Sequence, residues 1–153
     1  MTDTQHQTVI DLLRTAYNME IETVANYLAN SIHLDGFKAK HIKDALAADI
    51  QEELLHATQL AKRIKVLEGR VPGSQELKME QTSLQPPADQ LDVLAVVRGV
   101  IDAEDGAVNH YQKIIEATDG VDPVTQDLCI ELKGDEEEHR REFKGFLAEI
   151  QAG

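Results

Sequence analysis

The chain has 153 residues, of which 28 % are charged and only 4 % aromatic, and its formal net charge is −13. This length suits a single domain, residues 1–153, with its own hydrophobic core. The negative charge argues against nucleic acid as a partner, because binding phosphates requires Lys and Arg. No apolar run approaches the roughly 20 residues that span a bilayer, so we expect no membrane partner.

Cysteine usage bears on the compartment and on the kinds of metal site available. Cys129 is the only cysteine, so neither an intrachain disulfide nor a four-cysteine iron site can form within one chain. The first residues carry no hydrophobic segment of the signal-peptide type. We therefore expect a cytoplasmic location.

The first two predicted helices fill the N-terminal half of the chain. The first runs from about Thr8 to Leu34 and stops at Gly36, a typical residue beyond a helix C-terminus. The second runs from about Lys38 to Glu68 and stops at Gly69. Because the connection between them is short, we expect antiparallel neighbours.

A long connection separates this half from the next. Residues 70–88 contain three prolines and a glycine and are numerous enough to cross the length of a bundle. The third predicted helix runs from about Asp89 to Asp119, and the fourth from Pro123, capped by Asp122, to about Ile150. The pattern predicts an all-α antiparallel four-helix bundle with one long crossover between helices 2 and 3.

Every predicted helix has an apolar stripe in alternating steps of three and four residues. Each stripe is interrupted near its middle by a glutamate, and these are Glu20, Glu53, Glu104 and Glu136. His56 follows Glu53 by one turn on the same face, as His139 follows Glu136. Each glutamate stands where an apolar residue is expected.

Burial of these glutamates requires compensation. An unpaired buried carboxylate is costly, and four at one level of a bundle repel one another. Two divalent cations would balance four carboxylates, and two imidazoles would complete their coordination. The alternative is that each Glu-x-x-His pair lies on a solvated face, as the acidic run 135–138 by itself would suggest.

Repetition favours the metal site over the solvated face. Glu20 and Tyr27 are followed by the pair at 53 and 56, and Glu104 and Tyr111 are followed by the pair at 136 and 139. The two halves of the chain therefore carry the same pattern at nearly the same spacing. This doubled pattern resembles bacterioferritins, rubrerythrins and the Dps-like proteins that carry a bacterioferritin-type di-iron site.

The resemblance covers nearly the whole chain and implies a ferritin-like bundle that holds two iron ions. It implies that Glu53 and Glu136 bridge the two ions and that Glu20 and Glu104 are terminal carboxylate ligands. The imidazole ligands would be His56 and His139. Tyr27 and Tyr111 would lie directly behind these ligands. Manganese is also accepted by such a ligand set.

Two acidic residues next to the bridging glutamates receive a role from the same resemblance. Metal-bound imidazoles usually donate their second N–H to an acceptor. We hypothesise that Glu52 orients His139 and that Asp135 orients His56.

Further sequence features indicate which branch of these related proteins the chain resembles most. Leu54 stands where bacterioferritin has its haem-binding methionine, so no haem is expected. The segment 122–128 is most similar to the Dps-like branch, in which a cysteine pair is common. Cys129 is alone, which does not favour thiol-coupled chemistry.

The predicted function is that of a ferroxidase, which oxidises Fe²⁺ with O2 or H2O2 for iron storage and protection from oxidative stress. The resemblance implies a homo-oligomer, with a cage as one form. One alternative keeps the di-metal site in a rubrerythrin-like peroxidase or a manganese catalase. Another is a non-catalytic helical interaction module with solvated glutamates.

Other polar residues are expected at the surface. They include Glu22, which lies off its stripe, and the histidines His6, His33, His41 and His110. Asp105 is the nearest competitor of Glu104 for the ligand role, but it too lies off the stripe. A solvated face is also expected for four acids, which would guide iron only if they line a pore: Asp44, Asp49, Glu76 and Glu80.

Overall fold

The computed structural model describes residues 1–153 and contains four long helices and no strands. They are α1 (Asp3–His33), α2 (Lys40–Val66), α3 (Val93–Thr118) and α4 (Pro123–Ala152). Short 3-10 turns occupy Phe37–Ala39 and Ser74–Glu76. None of the helices is both long and apolar enough to cross a membrane. The predicted all-α bundle, with its long crossover between helices 2 and 3, is confirmed.

Capping side chains set where the helices begin. The start of α1 is earlier than predicted because Thr2 and Gln5 form a reciprocal capping box, with hydrogen bonds of 3.1 and 2.9 Å. The start of α3 is later than predicted because Asp92 accepts a 3.0 Å hydrogen bond from the Ala95 amide. Capping rather than apolar periodicity therefore fixes where α1 and α3 begin.

The start of α4 is capped as predicted and is also tied to α2. Asp122 accepts a 3.2 Å hydrogen bond from the Thr125 amide. Arg63 near the end of α2 donates to Asp122 at 3.0 Å and to the Thr125 hydroxyl at 2.8 Å. This network fixes the height of α4 against α2, which matters because both helices carry a Glu-x-x-His pair.

The crossover runs alongside α1 in the same direction. Residue numbers increase in the same direction along both segments in the hydrogen bonds that join the crossover to α1 and to the turn after α1. These bonds join Arg14 to Glu76, Asn18 to Lys78, Glu22 to Gln81, Asn30 to Leu84 and Asp35 to Gln90. The crossover therefore delivers the chain to the C-terminal end of α1. From there α3 runs back antiparallel to α1.

Two apolar clusters fill the bundle, one toward each end. The first contains Leu13, Leu60 and Leu132, and the second contains Leu46, Val97 and Phe143, among others. The interrupting glutamates fall between them on every helix. A polar layer is thus enclosed by apolar packing on both sides.

Candidate metal centre

All six predicted metal ligands meet in the layer between the two apolar clusters. Each residue is at most 6 % exposed, and the six are Glu20 of α1, Glu53 and His56 of α2, Glu104 of α3, and Glu136 and His139 of α4. The glutamates are buried, so the solvated faces required by a plain interaction module are not found here.

The oxygen and nitrogen atoms of these side chains form two overlapping groups. In each group the contributing atoms lie within 4.8 Å of one another. One group combines Glu20 and His56 with Glu53 and Glu136, and the other combines Glu104 and His139 with the same two glutamates. Two central carboxylates are therefore shared, and each end has its own carboxylate and imidazole.

Unpaired atoms at this centre show whether the residues fit a pair of metal ions. Six buried atoms have no hydrogen-bond partner, one on each side chain: Glu20 Oε2, Glu53 Oε1, His56 Nδ1, Glu104 Oε2, Glu136 Oε1 and His139 Nδ1. Each unpaired buried polar atom costs about 1–3 kcal/mol. Their convergence from four helices fits two divalent cations, which would engage all six.

The imidazole of His56 contacts an acid of α4 on the side that faces away from the centre. Its Nε2 lies 3.0 Å from Asp135 Oδ2. Because a carboxylate only accepts hydrogen bonds, Nε2 keeps its proton, and Nδ1 is the nitrogen that can release one. Nδ1 lies 2.8 Å from Glu136 Oε1 without the alignment of a hydrogen bond. Nδ1 therefore faces the centre, where the loss of its proton would free a lone pair.

His139 repeats this arrangement from the other side. Its Nε2 lies 2.8 Å from Glu52 Oε2, and its Nδ1 lies 3.0 Å from Glu53 Oε1 without hydrogen-bond alignment. The contacts to Glu52 and Asp135 are those expected from the sequence. They fix both rings in the tautomer that a metal ion requires.

Two buried tyrosines hold the outer carboxylates, and they do so across the bundle. Tyr27 of α1 donates its hydroxyl hydrogen to Glu104 of α3. Tyr111 of α3 donates to Glu20 of α1 at 2.6 Å. Each tyrosine leaves the second oxygen of its glutamate unpaired. That oxygen remains available to a ligand.

Burial and mutual repulsion govern the acids when no cation balances them. Burial raises the pKa of Glu53 and Glu104 well above the usual range, and neighbouring carboxylates raise it further. Burial also acts to raise the pKa of Glu136, but its contacts with Glu104 and both histidines outweigh burial and lower that pKa. Glu136 therefore ionises more readily than Glu53 or Glu104.

The imidazoles bind protons tightly in the same environment. Burial lowers the pKa of His56, but its contacts with Glu136 and Glu20 outweigh burial and raise the pKa to about 11. The pKa of His139 is raised to about 9 in the same way, mainly by Glu136 and Asp49. Metal binding at neutral pH must therefore displace protons from the centre.

Several surface expectations were wrong. Glu22 is buried and accepts a 2.9 Å hydrogen bond from the Gln81 amide of the crossover. His110 is buried, with Nε2 2.8 Å from the Leu12 carbonyl oxygen. These side chains bind backbone groups of other segments, so the periodicity of their own helices gave no signal of burial.

The remaining histidines and off-stripe acids divide between surface and partial burial. His6 is half-buried against the Leu67 carbonyl oxygen at the end of α2, and His33 against the Pro87 carbonyl oxygen of the crossover, whereas His41 is exposed as predicted. Asp105 is half-buried and pairs with Arg140 at 2.8 Å. Of these three histidines expected at the surface, only His41 is fully exposed.

Asp49 is a residue near the centre that the sequence interpretation placed on a solvated face. It is half-buried, with Oδ1 3.7 Å from His139 Nε2, and burial raises its pKa to about 6. It precedes Glu53 by one helical turn on the same face. That spacing was the sequence signal that would have indicated its position near the centre.

Asp44 and Glu80 are exposed as expected, and Glu76 is exposed but paired with Arg14 and Arg70.

Comparison with known proteins identifies the family. A family model described as a ferritin-like domain matches residues 10–152. The chain belongs to the ferritin-like family. This ferritin-like chain is 26 % identical over 141 residues to the DNA protection during starvation protein of Pyrococcus furiosus, covering 91 % of this chain and 76 % of that protein. The predicted relationship to the ferritin-like superfamily is confirmed, and this similarity supports the predicted Dps-like branch.

A solved structure shares the fold. The structure described as ferritin-like, diiron-carboxylate proteins from Bacillus anthracis str. Ames superimposes with a TM-score of 0.83 at 20 % identity, covering 96 % of this chain and 99 % of that one. At this identity the match establishes the architecture of the ferritin-like chain. The metal chemistry of this chain depends on the residues of its own centre.

Proposed function

We propose that this chain is a ferroxidase that binds two Fe²⁺ ions as substrate and oxidises them to Fe³⁺. The observation that carries the proposal is the set of six buried side chains, each with an unpaired oxygen or nitrogen atom facing a common centre. Iron-related function of a ferritin-like kind is supported by the family and by the diiron-carboxylate description of the neighbour.

Charge and geometry support one assignment of the residues to the two ions. Four carboxylates offset the charge of two divalent cations, and the two groups of ligand atoms give each ion three carboxylates and one imidazole. Glu53 and Glu136 would bridge, since they belong to both groups. Glu20 with His56 and Glu104 with His139 would complete the two ends.

Oxidation requires an acceptor for two electrons, one from each ion. O2 with two protons gives H2O2, and H2O2 with two protons gives two molecules of water. Hard carboxylate oxygens stabilise Fe³⁺ more than Fe²⁺, so this ligand set favours the loss of electrons. The apolar clusters above and below the centre exclude bulk water, which strengthens these electrostatic effects.

Residues behind the ligands keep the centre in shape for this reaction. Tyr111 and Tyr27 hold Glu20 and Glu104, and Asp135 and Glu52 hold the two imidazoles. Each contact leaves a lone pair directed inward. Such preorganisation lowers the cost of binding the ions.

Iron storage, protection from oxidative stress and a cytoplasmic location belong to the same proposal. The similarity to a DNA protection during starvation protein supports the protective role. A homo-oligomeric assembly, with a cage as one form, would be needed to hold mineral. The buried free thiol of Cys129 is consistent with a reducing compartment.

Metal titration tests the proposal first. We expect anaerobic protein to bind two Fe²⁺ per chain, and Glu53→Gln to lose this stoichiometry, whereas Glu131→Gln at an exposed position of α4 keeps it. A wild-type chain that binds no Fe²⁺ would remove every metal-dependent function.

Oxidant use separates the enzymatic alternatives. A ferroxidase consumes O2 or H2O2 in fixed proportion to the Fe²⁺ supplied. A rubrerythrin-like peroxidase would turn over H2O2 repeatedly with an external electron donor, and a manganese catalase would release O2 from H2O2 after loading with Mn²⁺. Size-exclusion chromatography of the native protein tests the assembly, because a dimer cannot enclose mineral.

A further inference from the structure

The two halves of the centre differ at one position, which lies a helical turn before each bridging glutamate. In α2 this position is Asp49, four residues before Glu53, and in α4 it is Leu132, four residues before Glu136. Both glutamates are otherwise directly preceded by an acid and followed one turn later by a histidine. An acid in one half and an apolar residue in the other therefore break the repeated pattern.

The carboxylate of Asp49 is largely buried and has a single ionic contact. Its side chain is 13 % exposed, and its Oδ1 lies 3.7 Å from His139 Nε2, beyond hydrogen-bond distance. The buried Oδ2 has no hydrogen-bond partner. An acid in this position is unfavourable unless a positive charge lies nearby. The imidazole of His139 is the contacting group that can carry one.

The other imidazole has no comparable acid. Leu132, the counterpart of Asp49, is 1 % exposed and belongs to the first apolar cluster. The acids near Nε2 of His56 are Asp135 at 3.0 Å and Glu52 at 3.9 Å, and both of these side chains are 40 % exposed. Partly exposed acids thus contact both imidazoles, and only His139 also contacts a largely buried one.

Burial decides how strongly each of these charges acts on a bound ion. Water screens a charge at the protein surface, whereas a charge removed from water acts through a lower effective dielectric constant. Asp49 therefore acts on the His139 end with little screening. No charge of this kind acts on the His56 end, although the ligands at the two ends are alike.

We propose that Asp49 makes the two metal positions unequal, so that a divalent cation binds more tightly beside His139 than beside His56. This rests on the proposed function, because it requires that the centre binds two ions. A cation on Nδ1 of His139 makes the opposite side of the ring, at Nε2, more positive. Asp49 stabilises that charge without being a ligand itself. It is a specificity-determining residue that acts through His139.

Removing the charge of Asp49 while keeping its shape tests the proposal in solution. Co²⁺ serves as the probe, because it resists oxidation by O2 and its visible absorption reports coordination. Titration of the wild-type protein should show two steps of unequal affinity. We expect Asp49→Asn to weaken the tighter step about tenfold and to leave the weaker step nearly unchanged. Equal steps in the wild type, unchanged steps in Asp49→Asn, or equal weakening of both would overturn the proposal.

X-ray crystallography shows which position is affected. In crystals grown with one Co²⁺ per chain, the anomalous scattering of cobalt gives the occupancy beside each histidine. We expect the wild-type protein to hold the ion mainly beside His139. In Asp49→Asn the ratio of the two occupancies should shift toward His56 by about tenfold. An unchanged ratio, or a shift toward His139, would contradict the role of Asp49.

The matched control is Asp44→Asn, which removes the same charge from the same helix. Asp44 is exposed and pairs with Lys40 at 3.0 Å. This variant should keep both titration steps and the wild-type ratio of occupancies. Equal effects of Asp44→Asn and Asp49→Asn would mean that the total charge of the protein sets the affinities, and the proposal would then be wrong.

The outcomes distinguish this proposal from the one on which it rests. Wild-type protein that binds no Co²⁺ at equilibrium removes the metal centre and the role of Asp49 together. Wild-type protein that binds two Co²⁺, with the same two affinities and occupancies in Asp49→Asn, removes only the role of Asp49.

Discussion

The hydroxyl of Tyr111 on α3 donates a 2.6 Å hydrogen bond to Glu20 on α1, deep in the bundle. The other oxygen of the same carboxylate has no partner. One side of Glu20 is therefore fixed by the protein and the other is left for a ligand. Tyr27 and Glu104 repeat this relationship with the helices exchanged.

Removing the tyrosine hydroxyl should weaken metal binding. In Tyr111→Phe, Glu20 loses its fixed partner and must be ordered when an ion binds. We expect about a tenfold loss of affinity for Co²⁺, measured by equilibrium titration. Tyr17→Phe is the control, since Tyr17 is partly buried on α1 and its hydroxyl makes no hydrogen bond to a ligand. Equal affinity in Tyr111→Phe and wild type would show that the hydrogen bond does not position Glu20.

Changing the acid behind His56 should disturb the tautomer of the ring. An asparagine at position 135 can donate to Nε2, which would move the ring proton to Nδ1 and block the lone pair that faces the centre. We expect Asp135→Asn to bind metal about 10- to 100-fold more weakly. Asp127→Asn, at an exposed position of α4, serves as the control. Unchanged affinity and oxidation rate in Asp135→Asn would refute the orienting role.

The metal-free protein should lose stability as the pH rises. The folded-state pKa of His139 is raised to about 9 and that of His56 to about 11, from an ordinary value of 6.5. Their stabilising contribution is complete below the ordinary value and is lost as the pH rises through the folded values. The lowered pKa of Glu136 has the opposite sign, but it acts only in acid.

Urea denaturation after chelation of metal measures this dependence. The midpoint should be lower at about pH 9.5 than at about pH 6.5. Metal-loaded protein should lack this loss, because bound ions replace the protons. A midpoint that rises with pH in the chelated protein would contradict the sign derived from the two histidines.

Two glycines inside helices should respond oppositely to alanine. At Gly99 an added Cβ would clash with the Ser83 carbonyl oxygen of the crossover. We expect Gly99→Ala to destabilise the fold by about 1–3 kcal/mol. At Gly134 nothing lies within 4 Å, so Gly134→Ala should stabilise α4 by about 0.5–1 kcal/mol. Chemical denaturation measures the free energy of unfolding of both variants. Stabilisation by both substitutions would mean that the crossover does not pack closely against α3 at Gly99.

Cys129 should be unreactive in the folded protein. It is fully buried in the first apolar cluster, and burial raises the pKa of its thiol to about 12. Little thiolate exists near neutral pH, and the reagent has no access. We expect negligible labelling by iodoacetamide until urea unfolds the chain, followed by mass spectrometry. Rapid labelling of native protein would contradict this burial.

The helices and the buried polar layer could be predicted because helical periodicity makes each exception visible. A glutamate at position 20 or 104 stands in a stripe that is otherwise apolar, and the structure buries both. The long crossover was recognisable from its length and its prolines.

The path of the crossover could not be predicted in the same way. Its contacts join side chains such as Glu22 and Asn30 to backbone groups of an irregular segment. Such contacts have no period, and any exposed carbonyl could serve as the acceptor. The early start of α1 is a different case, since the Thr2–Gln5 capping box is a local signal that periodicity alone overlooks.

The antiparallel course of α3 against α1, set by the crossover, divides the ligands evenly between two helical hairpins. The α1–α2 hairpin contributes two carboxylates and one imidazole, and the α3–α4 hairpin contributes the same number. Two copies of one hairpin, related by a twofold rotation, would therefore contain a complete set of ligands. The chain has the form expected of a duplicated and fused homodimer, in which the crossover is the segment that joined the copies.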